Sequence, residues 1–223
     1  MAERKEQFAR LAAVSDLARI LSLFLYLPKR ELAAGIADGS LRQDVQEIIC
    51  ELGWQDFDDS LLGSLAAGQA YAVEGILSSL RQEYTRLFTH PESPQLYIYE
   101  SLFRYYAEGE QGERPLLGIS PAALDALRQY QQAGFRPSCT ANESADHMGC
   151  ELEFVSFLCF KLARQAWAEA ENHAGQKQLP AFVKLHLGRW GKDFFQVLAN
   201  KAKYPAYQII GQLGMRLSEE IEL

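Results

Sequence analysis

The sequence lacks the features that mark several common protein classes. Only 4 of its 223 residues are cysteines, and they form no C-x-x-C pair, so neither a disulfide framework nor a cysteine-rich metal site is predicted. The apolar run from Ile20 to Leu27 is far shorter than the ~20 residues of a membrane-spanning helix. The first residues carry mixed charges without a signal-peptide core. We therefore expect reduced thiols and a cytoplasmic location.

Basic residues are fewer than acidic ones, 22 against 29. The formal net charge is -7, with 48% hydrophobic and 23% charged residues, which is the balance of an ordinary globular protein. An acidic chain repels phosphate backbones, so a nucleic-acid partner is not expected. A basic peptide would be attracted to the same chain.

Catalytic signatures are also missing. The glycine-containing segment 188–192 has its glycines only three apart and is followed by Asp193, whereas a phosphate-binding loop needs wider spacing and a hydroxyl residue. No G-x-S-x-G or H-E-x-x-H motif occurs. No catalytic residue and no metal ligand is predicted, although a metal-dependent helical hydrolase using His147, Glu151 and His186 stays open as an alternative.

Apolar residues recur at helical spacing along the whole chain, which predicts an all-α fold. A first helix ends at Pro28 and another, over residues 41–52, is closed by Gly53. A longer helical stretch is expected over about 59–88, with a break near Gly68. Ser120-Pro121 predicts a helix start, and Gly134 predicts its end.

The polar segment 135–144 is the best candidate for a hinge, at about 135–145, between two helical halves of one domain. Three further helices are expected over about 145–172, 180–200 and 204–221. The middle one carries His186 in an apolar stripe of interval four, which indicates a core histidine.

The start of the helix after the hinge holds the most polar candidates. Asp146 is expected in its first turn, where a carboxylate complements the helix dipole. His147 and Glu151 are four apart and are expected to share a face and pair. A metal site of His147, Cys150 and Glu151 would need a fourth ligand from elsewhere.

Aromatic residues cluster in the stretch 96–106 around Glu100, Ser101 and Arg104. Aromatic side chains are enriched where proteins grip peptides. They also fill cores between helices, so pattern alone leaves both interpretations open.

Four motifs taken together resemble the TorD/DmsD family, the maturation chaperones of molybdenum-containing redox enzymes. In chain order they are Glu83–Phe88 (E-Y-x-x-L-F), Tyr99–Phe103 (aromatic-x-S-hydrophobic-aromatic), Asp146–Phe154 (D-H-x-x-x-E-L-E-F) and Phe182–Phe194 (F-x-x-x-H-L-x-x-W-x-x-x-F). Residues 83–207 carry the resemblance, and residues 1–82 match only in general character.

The resemblance implies a single helical domain that binds the twin-arginine signal peptide of an apo-molybdoenzyme and delays its export until cofactor is inserted. It also implies a monomer or a dimer swapped through the hinge, weak GTP binding and no other cofactor. Carried over by position, the peptide site would contain Leu87, Phe88, Tyr99, Ser101, Phe103, Asp146 and His147. As a hypothesis of our own, Glu100 and Glu151 join Asp146 as carboxylate partners for the arginines.

The chain departs from the family pattern in two places. Gln95, Leu96 and Ile98 occupy a stretch where the family often has prolines, and Ala145 replaces the usual proline before Asp-His. The first change affects the shape of the peptide-binding loop, and the second makes the hinge less stiff. A related alternative is a NarJ-type assembly factor that grips a redox subunit that is not exported.

Overall fold

The computed structural model describes residues 2–66, 73–90, 94–109, 112–138, 143–168 and 173–221. Within these ranges every secondary-structure element longer than a single bridge is a helix, which confirms the all-α prediction. The α-helices are α1 (Ala2–Leu25), α2 (Arg30–Asp38), α3 (Ser40–Leu52), α4 (Val73–Tyr84), α5 (Glu100–Ala107), α6 (Pro121–Ala133), α7 (Met148–Ala168), α8 (His173–Leu185), α9 (Leu187–Lys201) and α10 (Pro205–Ile221).

The centre of the fold is the pairing of α1 with α7, which lie against each other along much of their length. Leu17, Leu21 and Phe24 of α1 are fully buried, as their spacing of three to four residues predicts for one helix face. The helix α10 crosses the end of α1, where the Tyr207 hydroxyl donates to the carbonyl oxygen of Phe24 at 3.2 Å. In the described part of the chain, no single helix is long and apolar enough to cross a membrane; α1 and α2 would qualify only as a pair bent by 118°.

Local capping explains the helix that precedes the predicted hinge. The Ser120 hydroxyl accepts a hydrogen bond from the Ala123 amide at 3.1 Å, and Pro121 occupies the first helical position. The helix ends at Gly134, whose φ of 72° is a conformation that glycine adopts at little cost. Both boundaries of α6 are therefore confirmed. Residues 139–142 of the hinge segment lie outside the described residues, and the hinge itself stays a prediction.

The long helix expected over 59–88 is divided in the structure. A 3-10 helix covers Asp59–Leu65, and α4 is followed directly by one turn of π-helix at Thr85–Thr89. The expected break near Gly68 lies outside the described residues.

The prediction of one helix over 180–200 is wrong, because two helices cover this range. Pro180 lies inside α8 instead of starting a helix, and the helical conformation is interrupted at His186, with φ of -123° and ψ of -97°, before α9 begins. Both ring nitrogens of His186 bond to carboxylates on other helices. Such tertiary bonds outweigh a helical pattern whose intrinsic preference amounts to a fraction of a kcal/mol per residue.

The first family motif connects the end of α4 to the segment between α9 and α10. Arg86 donates two hydrogen bonds to Glu83, at 2.8 and 2.7 Å, and another to the Lys201 carbonyl at 2.7 Å. Glu83 in turn accepts from the Lys203 and Tyr204 amides, at 2.5 and 3.3 Å. One buried carboxylate therefore satisfies the backbone donors just before α10.

The contact between α9 and α10 depends on two glycines. A Cβ atom placed on Gly211 would lie 2.5 Å from the backbone nitrogen of Ala199, and one on Gly214 would lie 2.2 Å from the ring of Phe195. These distances are far below van der Waals contact, so the two helices pack as closely as they do only because both positions lack a side chain.

We predict that Gly211→Ala destabilises the protein by about 2 kcal/mol or more, because a backbone segment must move to admit the methyl group. The matched control is Gly75→Ala in α4, where nothing lies within 4 Å of the added Cβ. Better helix propensity should make that change neutral or stabilising by about 0.5–1 kcal/mol. Urea unfolding measures both, and equal midpoints for the two variants would refute the close-packing argument.

Candidate functional site

Two of the family motifs meet through their backbones. Tyr99 and His147 form an isolated antiparallel bridge, in which the Glu100 amide donates to the Asp146 carbonyl at 2.8 Å and the Met148 amide donates to the Ile98 carbonyl at 2.9 Å. The segments that lead into α5 and α7 are thereby fixed side by side. This contact brings together the residues that the motifs placed in one site.

Asp146 is fully buried and acts as a cap for a neighbouring helix. Its carboxylate accepts from the Ser101 amide at 3.1 Å and from the hydroxyls of Ser120, at 3.4 Å, and Ser144. Asp146 precedes α7 instead of lying in its first turn, which corrects the expectation from sequence. It serves the start of α5, where Tyr99 provides no side-chain cap.

His147 lies between two tyrosine rings. It stacks on Tyr26, with ring centroids 5.3 Å apart and planes inclined by 5°, and meets Tyr99 edge-on at 5.2 Å. Its Nδ1 accepts from the Gly149 amide at 3.0 Å, and burial lowers its pKa to about 3. The imidazole is therefore neutral, and the expected pairing with Glu151 is wrong because the ring turns toward the tyrosines.

Tyr26 belongs to the site although the sequence motifs gave no sign of it. Its hydroxyl has two acceptors within reach of its one hydrogen, Cys150 Sγ at 3.4 Å and Glu153 Oε2 at 3.3 Å. A Cβ atom on Gly149 would lie 2.9 Å from its ring, so the glycine in the D-H-x-G element makes room for the tyrosine. The sequence signal that was available is this glycine at the beginning of a helix.

A second buried cluster joins α5, α6 and the break between α8 and α9. His186 Nδ1 lies 2.8 Å from Glu100 Oε2, and its Nε2 lies 3.0 Å from Asp125 Oδ2. Burial disfavours the imidazolium, yet the bonds and charges of these two carboxylates outweigh it and raise the pKa of His186. Arg104 donates to the other Glu100 oxygen at 3.1 Å.

Glu151 completes this cluster from α7. Its Oε2 accepts from Trp190 Nε1 at 3.1 Å, while its Oε1 is buried and meets no hydrogen-bonding partner among the described residues. Burial, and then the charge of Glu100, raise the pKa of Glu151 well above its ordinary value. Ligand atoms of Glu100, Glu151 and His186 lie within 4.8 Å of one another, and they form the one described group close enough to share a metal ion. The grouping of His147, Cys150 and Glu151 considered from sequence is not formed.

The aromatic residues of the site are partly accessible. Phe103 is half-buried against Trp190, at 5.5 Å, and Phe194, at 6.0 Å. Tyr99 is half-buried, and its hydroxyl donates to Glu143 at 2.6 Å. These two rings are the parts of the predicted peptide site that a ligand can reach without rearrangement.

The remaining predicted site residues are less accessible than expected. Leu87 and Phe88 are core residues, and Phe88 packs on Tyr84 at 5.3 Å. Ser101 is half-buried, and its hydroxyl has no hydrogen-bonding partner among the described residues. The carboxylates of Glu100, Asp146 and Glu151 were expected at the mouth of a cleft, but all three are buried. They face inward because internal donors, Arg104, Ser101 and Trp190, already bind them.

A family model described as nitrate reductase delta subunit matches residues 39–196, which is more than half of the chain. The chain belongs to this family. The prediction of TorD/DmsD-type maturation chaperones, made from the four motifs, is confirmed. The match covers all four of those motifs and the cluster around His186, while Tyr26 lies before its first residue.

Curated relatives agree with this assignment. The chain is 29% identical over 199 residues to the Tat proofreading chaperones DmsD of Salmonella typhimurium and Salmonella typhi, covering 88% of this chain and 83% of each relative. Among solved structures, it is similar to a redox enzyme maturation protein from Archaeoglobus fulgidus, with a TM-score of 0.47, 18% identity, and coverage of 91% of this chain and 93% of that one. The family assignment rests on the family model.

The relatives are named as chaperones, so the chain is assigned to a chaperone family and not to an enzyme class. The hydrolase alternative finds no support in these relatives. In this protein the polar residues of the motifs form hydrogen bonds inside the fold. Asp146 caps α5, and Glu100, Glu151 and His186 connect helices.

We predict that Glu151→Gln flattens the pH dependence of stability. The pKa of Glu151 is raised in the folded state. Its contribution to the free energy of unfolding is therefore complete below the unfolded-state pKa near 4.5, and it is lost as pH rises toward the folded-state pKa, by up to about 1.4 kcal/mol per pH unit. The glutamine amide cannot ionise, so the stability of the variant relative to the wild type should increase with rising pH. Thermal unfolding between pH 5 and 9 measures this, with the exposed Glu31→Gln as control. Parallel curves for all three proteins would contradict the prediction.

Proposed function

We propose that this protein is a cytoplasmic chaperone that binds the twin-arginine leader of an apo-molybdoenzyme and delays its export until the cofactor is inserted. The observation that carries the proposal is the similarity to proteins named Tat proofreading chaperones, which extends over 88% of the chain. An acidic protein with net charge -7 also suits a leader that begins with basic residues.

The aromatic part of the site supports peptide binding. Half-buried Tyr99 and Phe103 lie on a rigid base, since Tyr99 is held by the backbone bridge to His147 and Phe103 by Trp190. An apolar helical segment binds in an aromatic-lined groove through such preorganised rings. The role of Leu87 and Phe88 in the same site is a proposal that requires the peptide to displace part of the present packing.

We predict that Tyr99→Ala weakens binding of a twin-arginine leader peptide by about tenfold or more, the loss expected for an aromatic anchor. Tyr105→Ala is the matched control, because Tyr105 is a half-buried tyrosine in α5, the helix that follows Tyr99, and it packs on Tyr106 instead of His147. Tyr99→Phe keeps the ring and tests the hydroxyl bond to Glu143 separately. Fluorescence anisotropy with a labelled peptide measures all of them.

The proposal fails if the wild-type protein binds the leader no more tightly than a scrambled peptide of the same composition. Circular dichroism and the unfolding temperature of each variant separate loss of binding from loss of fold. Equal affinities for Tyr99→Ala and Tyr105→Ala would leave the chaperone proposal in place and remove Tyr99 from the site.

A second candidate is an assembly factor for a redox subunit that is not exported; the description of the family model names a subunit of a redox enzyme, nitrate reductase, and does not specify export. Affinity purification from the native host discriminates the two. A captured redox subunit without a twin-arginine leader would select the assembly factor, and a captured precursor that still carries its leader would select the export chaperone.

A further inference from the structure

The buried cluster of Glu100, Glu151 and His186 has the composition of a metal site. One ligand atom of each residue lies within 4.8 Å of the ligand atoms of the other two, and each residue is at most 2% exposed. The three residues come from α5, α7 and the break between α8 and α9. Two carboxylates and one imidazole form a donor set that suits divalent transition-metal ions such as Zn²⁺ and Mn²⁺.

Glu151 has an oxygen for which the described part of the fold supplies no donor. Its Oε1 is buried without a hydrogen-bonding partner there, while its Oε2 accepts from the neutral Trp190 Nε1 at 3.1 Å. A buried carboxylate oxygen that loses water and gains no partner is unfavourable. The other carboxylate of the cluster, Glu100, has a cationic partner in Arg104 at 3.1 Å. A cation bound at Glu151 Oε1 would satisfy the oxygen that is left over.

The outer atoms of the three residues are held by neighbouring side chains. Asp125 Oδ2 lies 3.0 Å from His186 Nε2. A proton on that nitrogen leaves the lone pair of Nδ1 directed into the cluster, where Glu100 Oε2 lies 2.8 Å away. Trp190 and Arg104 hold the outer oxygens of the two glutamates in the same way. Neighbours that bind the outer atoms of the ligands are what orients metal ligands in proteins.

We propose that Glu100, Glu151 and His186 bind one divalent transition-metal ion, which connects α5, α7 and the α8–α9 break. The two carboxylates balance the charge of the ion, and the ion replaces the proton between His186 Nδ1 and Glu100. Three protein ligands that include an imidazole do not suit Ca²⁺, which takes six to eight oxygens. Sequence analysis predicted no metal ligand, because these residues come together only in the fold.

The ion in this proposal has a structural role. Its ligands are closed off from solvent, as is typical of structural metal ions, whereas a catalytic ion keeps a position open for substrate. The proposal therefore agrees with the assignment to a chaperone family. It does not depend on the proposed function, because metal content and peptide binding are measured separately and either can fail alone.

Metal content is tested by offering the ion while the chain folds, because the site is closed. Chelator-treated, urea-unfolded protein is refolded with Zn²⁺, with Mn²⁺ or with neither, and is then desalted. Mass spectrometry of the elements should find about one equivalent of ion per chain. At about a hundred times Kd the ion should raise the unfolding temperature by about 5 °C or more. Protein expressed in metal-supplemented medium gives the same comparison without unfolding. If neither route leaves an ion bound, the proposal is overturned.

Glu151→Gln identifies the ligand. Glutamine keeps the shape of the side chain and an acceptor for Trp190, but it lacks the carboxylate charge, so metal affinity should fall by at least about tenfold. The matched control is Glu153→Gln, another buried glutamate of α7, whose partners are Arg19 and Ser138. This control should bind the ion as the wild type does. Equal metal retention by both variants would place the ion elsewhere and overturn the proposal.

Asp125→Asn tests the orientation of His186 without removing a ligand. Asp125 is only half-buried, so this variant should fold even if Glu151→Gln does not, which circular dichroism checks. Loss of the carboxylate charge behind the imidazole should weaken metal binding by about 10- to 100-fold. A metal affinity equal to that of the wild type would contradict binding through His186 Nδ1 and overturn the proposed ligand set.

Discussion

Buried carboxylates, and the donors that satisfy them, determine how the helices are joined. Glu100, Asp146 and Glu151 are all withdrawn from water, and an unpaired buried charge costs far more than the net stability of a domain allows. Each is therefore tied to another element or neutralised: Asp146 to α5, Glu100 to His186 at the α8–α9 break, and Glu151 to Trp190 of α9. The positions of α5, α7 and α9 relative to one another follow from these bonds.

The polar residues of the family motifs have a structural role in the folded chain. From the sequence they are predicted to line a binding site, but in the structure they form the frame on which Tyr99 and Phe103 are held half-exposed. A rigid frame keeps aromatic contact surfaces in place, so that less conformational entropy is lost when a peptide binds.

Features with a local cause could be predicted from the sequence. Apolar spacing gave the helical class, and Ser120-Pro121 and Gly134 gave both ends of α6, because capping involves neighbouring residues. Features that depend on contacts between distant parts of the chain could not be predicted from the sequence. The break at His186 depends on carboxylates from α5 and α6, and the inward orientation of Asp146 depends on the backbone of Ser101. Tyr26 was missed for the same reason, since its ring contacts a residue more than a hundred positions away in the chain.

The hydrogen bonding of Glu83 has a consequence for how the chain acquires its fold. Its carboxylate accepts from the Lys203 amide across a sequence separation of 120 residues, and α1 packs on α7 across a comparable distance. Closing such long loops costs entropy before the contacts are gained, so helical proteins with many distant contacts fold more slowly than bundles of sequential neighbours. α10 can dock only after most of the chain has been synthesised, and until then Glu83 lacks two of its donors. A ribosome-bound chain that ends before α10 would leave the α9 surface around Phe195 open to other hydrophobic partners.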